Sequence, residues 1–166
     1  METLKRNPIT VDPQGGEILA VVGGNYRVLV SGKETNGAFS TIEMTVPPQN
    51  GPGPHSHASF YESFYILEGE VEVHSEAGSY IAKKGAYVVV PEGGIVHCFK
   101  NVSDKMAQLL CTVVPAGLEE FFEEIGEPVA AGEFLPPSPM DPESIKKIQA
   151  IAEKHGQILY PPDYLD

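Results

Sequence analysis

The 166 residues carry 23 acidic against 11 basic side chains, a formal net charge of −12 at pH 7. That length suffices for one domain with its own apolar core, and that charge repels phosphate backbones and anionic lipid. The densest basic spots, Lys83 with Lys84 and Lys146 with Lys147, are pairs that read as solvated surface, so neither nucleic acid nor membrane is expected as a partner.

The leading residues METLKRNPITVDPQGGE lack the apolar core of a signal peptide, and no apolar run approaches the roughly 20 residues that span a bilayer; a cytoplasmic protein is expected. We read 1–16 as an N-terminal arm, 17–115 as a β-barrel and 116–166 as helices and a Pro-rich tail of the same domain. Glycine at 17 and proline at 15 supply the turns an all-β chain consumes. Short β-branched or aromatic runs predict strands over Ile18–Val22, Tyr26–Ser31, Phe39–Val46, His55–Ala58, Glu62–Leu67, Val71–Ser75, Ser79–Ala82, Ala86–Val90, His97–Asn101 and Ala107–Val114. Asn36-Gly37, Glu68-Gly69 and Lys84-Gly85 mark turns that tolerate positive φ. In Glu70-Val71-Glu72-Val73-His74 strict alternation sends the valines inward and leaves His74 in water.

Beyond Pro115 the period changes. Leu118, Phe121, Phe122 and Ile125 form the apolar stripe of a short helix whose wet face is Glu119, Glu120, Glu123 and Glu124. A proline-rich linker without regular structure is expected over 126–140. A second helix follows with Asp141 as N-cap, Pro142 at its first position, Ile145, Ile148, Ile151 and Ala152 on one side, and a stop at Gly156. His155 is expected to meet the negative end of that helix dipole, and the acidic tail PPDYLD to be extended. Cys98 and Cys111, in apolar strand-like runs, read as buried thiols.

His55 and His57 are two apart on a predicted strand, so both imidazoles leave the same face. Glu62 opens the next strand, and His97 begins another just after the turn Pro91-Glu92-Gly93-Gly94. Three imidazole nitrogens and a carboxylate suit one divalent first-row ion per chain, Fe, Mn, Ni, Co or Zn, with positions left for water or substrate. Hydrogen bonding alone is the competing explanation, but inward polar groups without partners cost on the order of 1–3 kcal/mol each, which a metal removes. If Glu62 points inward, so do Phe64 and Ile66; from His97 the same parity reaches Phe99. Phe60 and Tyr61 are placed at the mouth. Interior positions must be filled whatever the function, so Phe64, Ile66 and Phe99 also read as core. Cys98 follows His97 and faces away from the ligands.

The stretch Gly51-Pro-Gly-Pro-His55-Ser-His57, Glu62, Gly69 resembles the first cupin motif, and Gly85, Pro91, Gly94, His97 and Asn101 the second, with one residue more than usual between Pro91 and His97, read as a longer turn at Gly93-Gly94. Gly37–Ser40, Val46–Pro48, Phe64–Glu70 and Pro115–Phe122 extend the likeness to the small single-domain bacterial cupins described as quercetin 2,3-dioxygenase-like. The resemblance implies an all-β jelly roll, the double-stranded β-helix, with one or two short helices packed outside. It also implies the metal set His55, His57, Glu62 and His97, and a catalytic role for Glu62 as ligand and base together. The partners it implies are a small apolar, enolisable substrate and dioxygen. A homodimer formed through barrel faces or an exchanged N-terminal segment is expected as well. Isomerisation or decarboxylation of a small oxyacid, and metal-anchored binding without turnover, remain open, because fold and ligands are shared among them. An aromatic interior favours a planar organic substrate over a dianion such as oxalate, which would want an internal arginine. The chain has only Arg6 and Arg27.

Overall fold

The computed structural model describes residues 6–166, so the first five positions of the expected arm lie outside the described residues. In chain order the elements are β1 (Glu17–Val21), β2 (Gly24–Val30), α1 (Gly32–Thr35), β3 (Ser40–Val46), β4 (His55–His57), β5 (Tyr61–Glu68), β6 (Glu70–Ser75) and β7 (Gly78–Lys83). There follow β8 (Tyr87–Val90), β9 (His97–Lys100), β10 (Ala107–Val114), α2 (Leu118–Ile125), β11 (Glu127–Pro128), α3 (Pro142–Lys154) and β12 (Gln157–Leu159). The strands form a seven-stranded sheet ordered β11-β1-β2-β3-β10-β5-β8 and a five-stranded sheet ordered β12-β4-β9-β6-β7. All pairings are antiparallel. The all-β jelly roll expected from the sequence is therefore what the chain adopts, and each of the ten expected strands is present.

Alternation explains the core. In β3 the inward residues are Ile42, Met44 and Val46; in β10 they are Ala107, Leu109, Cys111 and Val113. Cys111 stands between Ile42 of β3 and Phe64 of β5 in the ladder, and these central strands join Phe99 and Val71 of the facing sheet in one apolar cluster. Gly51, ahead of β4, adopts φ 155°, and a Cβ there would overlap the carbonyl oxygen of Phe99. The loop that delivers β4 thus runs directly against β9, a fit only glycine permits.

Outside the barrel, α2 buries Leu118, Phe121 and Phe122, with Phe122 edge-on to Tyr26 at a centroid distance of 4.8 Å. Asp141 caps α3, accepting from the amides of Glu143 and Ser144 at 3.0 and 2.9 Å, and Ala152 reaches the core. Among the described residues no helix is long and apolar enough to cross a membrane.

Several expectations are corrected. Glu119 is not on a wet face: it is 2% exposed and accepts from the amides of Gly32 and Gly117 at 2.6 and 2.8 Å, tying α2 to the start of α1. The linker contains β11, which pairs with β1, and β12 extends the smaller sheet just before the tail. His155 meets a carboxylate rather than a bare helix end, its Nε2 lying 2.8 Å from Glu124 Oε2. His74 is only partly exposed, paired with Glu72 at 3.0 Å and Ser79 at 3.0 Å. Cys98 is half-buried, and both cysteines are free. The described part of the arm is fastened to its own chain, with Arg27 donating to the carbonyls of Pro13 and Gly15 at 2.8 and 3.0 Å.

Candidate metal centre

Three strands bring the four candidate ligands together. β4 carries His55 and His57 on one face, β9 lies beside it with His97 opposite His55, and β5 of the other sheet presents Glu62 from across the barrel. One ligand atom from each residue falls within a set whose members are all within 4.8 Å of one another. His55 is 8% exposed and the other three 2–3%.

Backbone carbonyls decide how the imidazoles present themselves. His55 Nδ1 is 2.9 Å from the oxygen of Gly53, His57 Nδ1 3.1 Å from that of Phe60, and His97 Nδ1 3.0 Å from that of Ile95. A carbonyl only accepts, so each Nδ1 carries the hydrogen and each Nε2 is the ring nitrogen turned to the interior. Burial, followed by the neighbouring His97, lowers the pKa of His55 to about 4, so that ring is neutral at ordinary pH. Burial pushes Glu62 up, but its closeness to His57 and His97 prevails and holds the carboxyl below its usual range. Glu62 Oε2 lies 3.1 Å from His57 Nε2 and 3.4 Å from His97 Nε2.

Lone pairs on Nε2 aimed at an ionised carboxylate repel unless a positive charge stands between them. A divalent ion supplies it. Two donors bound to a first-row ion at about 2.1 Å can be no more than about 4.2 Å apart, so a pair at the 4.8 Å limit of the cluster must draw in by at least about 0.6 Å to share one ion. The buried cluster fits a single metal ion, and three nitrogens with one oxygen suit several first-row divalent ions equally.

Around this centre, Phe60 stacks on His57 with ring centroids 4.0 Å apart and 14° between planes. Phe64 meets Phe99 edge-on at 5.3 Å, and Ile66 is fully buried on the same face of β5 as Glu62. Tyr61 precedes Glu62 on β5, takes the opposite face and is 44% exposed. Arg27 lies away from the centre, its Nε 3.2 Å from Glu43 Oε1.

Two contacts escape sequence reasoning. Cys111 Sγ is 3.5 Å from Glu62 Oε1, and burial, then the Glu62 charge, raises the thiol pKa, so the thiol keeps its hydrogen and donates it. Tyr26, also fully buried, has its phenol pushed up by burial and then by Cys111 and Glu62. Parity places Cys111 inward, but only the pairing of β10 with β5 puts it next to Glu62.

Comparison with known proteins agrees with this geometry. A family described as a cupin domain matches residues 42–113. Quercetin 2,3-dioxygenase of Bacillus subtilis is 23% identical over 139 residues, 84% of this chain, and the chain spans only 40% of that protein's length. Among solved structures, an RmlC-like cupin from Shewanella frigidimarina superposes with a TM-score of 0.59 at 17% identity, covering 69% of this chain and 96% of its own. An oxalate decarboxylase predicted in Thermotoga maritima gives 0.56 at 23%, covering 66% and 99%. These likenesses carry the fold.

Proposed function

We propose that the protein, whose residues 42–113 match a cupin domain, is a metal-dependent dioxygenase or related oxidoreductase acting on an apolar, enolisable small molecule of flavonol or enediol type. The observation that carries this reading is the convergence of three interior Nε2 atoms and one carboxylate within 4.8 Å, in a buried setting walled by Phe60, Phe64 and Phe99. The name of the Bacillus subtilis relative supports the same substrate class. A divalent ion held there would supply Lewis acidity that eases deprotonation of a substrate hydroxyl. Glu62 Oε2, on the side of the two imidazoles, is placed to take that proton, while Cys111 holds Oε1 in position. The three backbone carbonyls keep the rings from turning, and the aromatic wall keeps water from the deprotonated substrate.

Decarboxylation or isomerisation of a small oxyacid is the alternative from the same fold. It is weakened by the placement of the only two arginines: Arg6 is exposed and Arg27 pairs with Glu43, leaving none to meet a second carboxylate inside. Two free thiols support a reducing, cytoplasmic location. Exposed Tyr61, Tyr65, Tyr87 and Val89 on the outer face of β5 and β8 support a homodimer formed there.

The test is reconstitution of metal-depleted protein with Fe(II), Mn(II), Co(II), Ni(II) or Zn(II), with oxygen uptake recorded against flavonols and enediols. At least one metal form is expected to consume oxygen with one ion bound per chain. Silence of every form across that panel removes the dioxygenase assignment.

A further inference from the structure

Gln157, the first residue of β12, stands directly opposite His57 in the antiparallel ladder, as Leu159 stands opposite His55. Residues so opposed share a face, with Cβ atoms about 4.5–5.5 Å apart. Gln157 therefore projects to the interior beside His57, which agrees with its 3% exposure; Ile158, between the two inward residues, is 54% exposed. Among the described residues the Gln157 Nε2 is buried and has no hydrogen-bond partner.

An unmet buried donor is a standing destabilisation, and a leucine of similar volume would abolish it. The comparable orphan oxygens of Asn25 and Ser40 belong to β2 and β3, which bear no ligand. At Gln157 the orphan instead adjoins a ligand-bearing strand and faces the same interior as the four candidate ligands.

We propose that Gln157 is a substrate-positioning residue whose side-chain N–H donates to an oxygen of the bound organic molecule. That oxygen neighbours the one presented to the metal, so the ligand class is one with two adjacent oxygens, an α-hydroxy ketone or its enolate. This deepens the substrate class proposed above and rests on it. The role is distinct from those of Glu62 and the three histidines, since Gln157 binds and orients without ligating the ion or moving a proton.

The experiment compares metal-reconstituted wild type with Gln157→Leu and Gln157→Met, two apolar replacements of similar size. Each is titrated anaerobically with 3-hydroxyflavone, whose absorption reports its deprotonated bound form, and metal content is measured in parallel. Both variants are expected to keep one ion per chain while the Kd for 3-hydroxyflavone rises about tenfold, the weight of one hydrogen bond. An unchanged Kd in both variants overturns the Gln157 assignment and leaves the substrate class standing, because wild type still binds. Loss of the ion in both variants also overturns it, by showing a role in holding β4. Failure of wild type to bind the probe overturns the Gln157 assignment, while the substrate class falls with it only if oxygen uptake is silent across the flavonol and enediol panel.

Discussion

Each candidate imidazole owes its orientation to a backbone carbonyl, which no substitution of a side chain can remove; the adjustable partner of the centre is Cys111. Its thiol is Glu62's contact on the oxygen turned away from the histidines. Replacement of Cys111 by valine, close in volume, should leave folding nearly intact but free the carboxylate to rotate. We expect metal affinity to fall roughly tenfold, within the range typical of outer contacts to a ligand. Competition against a chelator, read as metal content, checks this; unchanged retention would show that Glu62 needs no such support. Gly51→Ala should act through geometry alone, pushing β4 from β9 and lowering both the thermal midpoint and metal retention, measurable on one purified sample. At this scale the sequence is most readable where parity suffices. His55 and His57, two apart, share a face because strands alternate, and Phe64 follows Glu62 inward for the same reason. Cys111 and Gln157 were illegible because their importance arises from strands paired across long separations, which alternation within one strand does not encode.

At the scale of elements, the ten strands were legible because most carry a short β-branched or aromatic run bounded by turn residues. α1, β11 and β12 were not, being four, two and three residues long and existing through what they pair with or cap. Glu119 illustrates the same limit: within α2 it falls among acidic neighbours, yet it is the acceptor for Gly32 of α1 and Gly117. Burial raises its pKa, but the bonds from the Gly32 and Gly117 amides prevail and leave it lowered. A carboxylate whose folded pKa is depressed contributes stability above its unfolded value, about 4.3, and loses it as pH falls through the folded value. Glu119→Gln should therefore cost about 1–3 kcal/mol at neutral pH. The gap between wild type and variant should narrow on acidification below pH 4. Denaturant melts at a series of pH values measure this, and a gap independent of pH would mean the charge contributes nothing.

For the whole molecule, the outer face of β5 and β8 is the surface on which the proposed association is tested. Tyr65 and Tyr87 are directly opposed across that ladder and exposed by 42% and 64%. If this face pairs two copies, Tyr65→Glu with Tyr87→Glu should convert a dimer to a monomer in sedimentation without altering metal content, since both side chains point away from the interior. A wild type that sediments as a monomer would refute the dimer outright.

The pairing of β12 with β4 also bears on how the protein is made. His57 and Gln157 are separated by roughly one hundred positions, which a ribosome adding about 5–20 residues each second covers in about 5–20 s. Until β12 is made, the strand bearing two of the imidazoles can pair only with β9, and its other edge is open to the surrounding solution. Once Gln157–Leu159 zip onto it, main-chain pairing seals that edge beside both imidazoles.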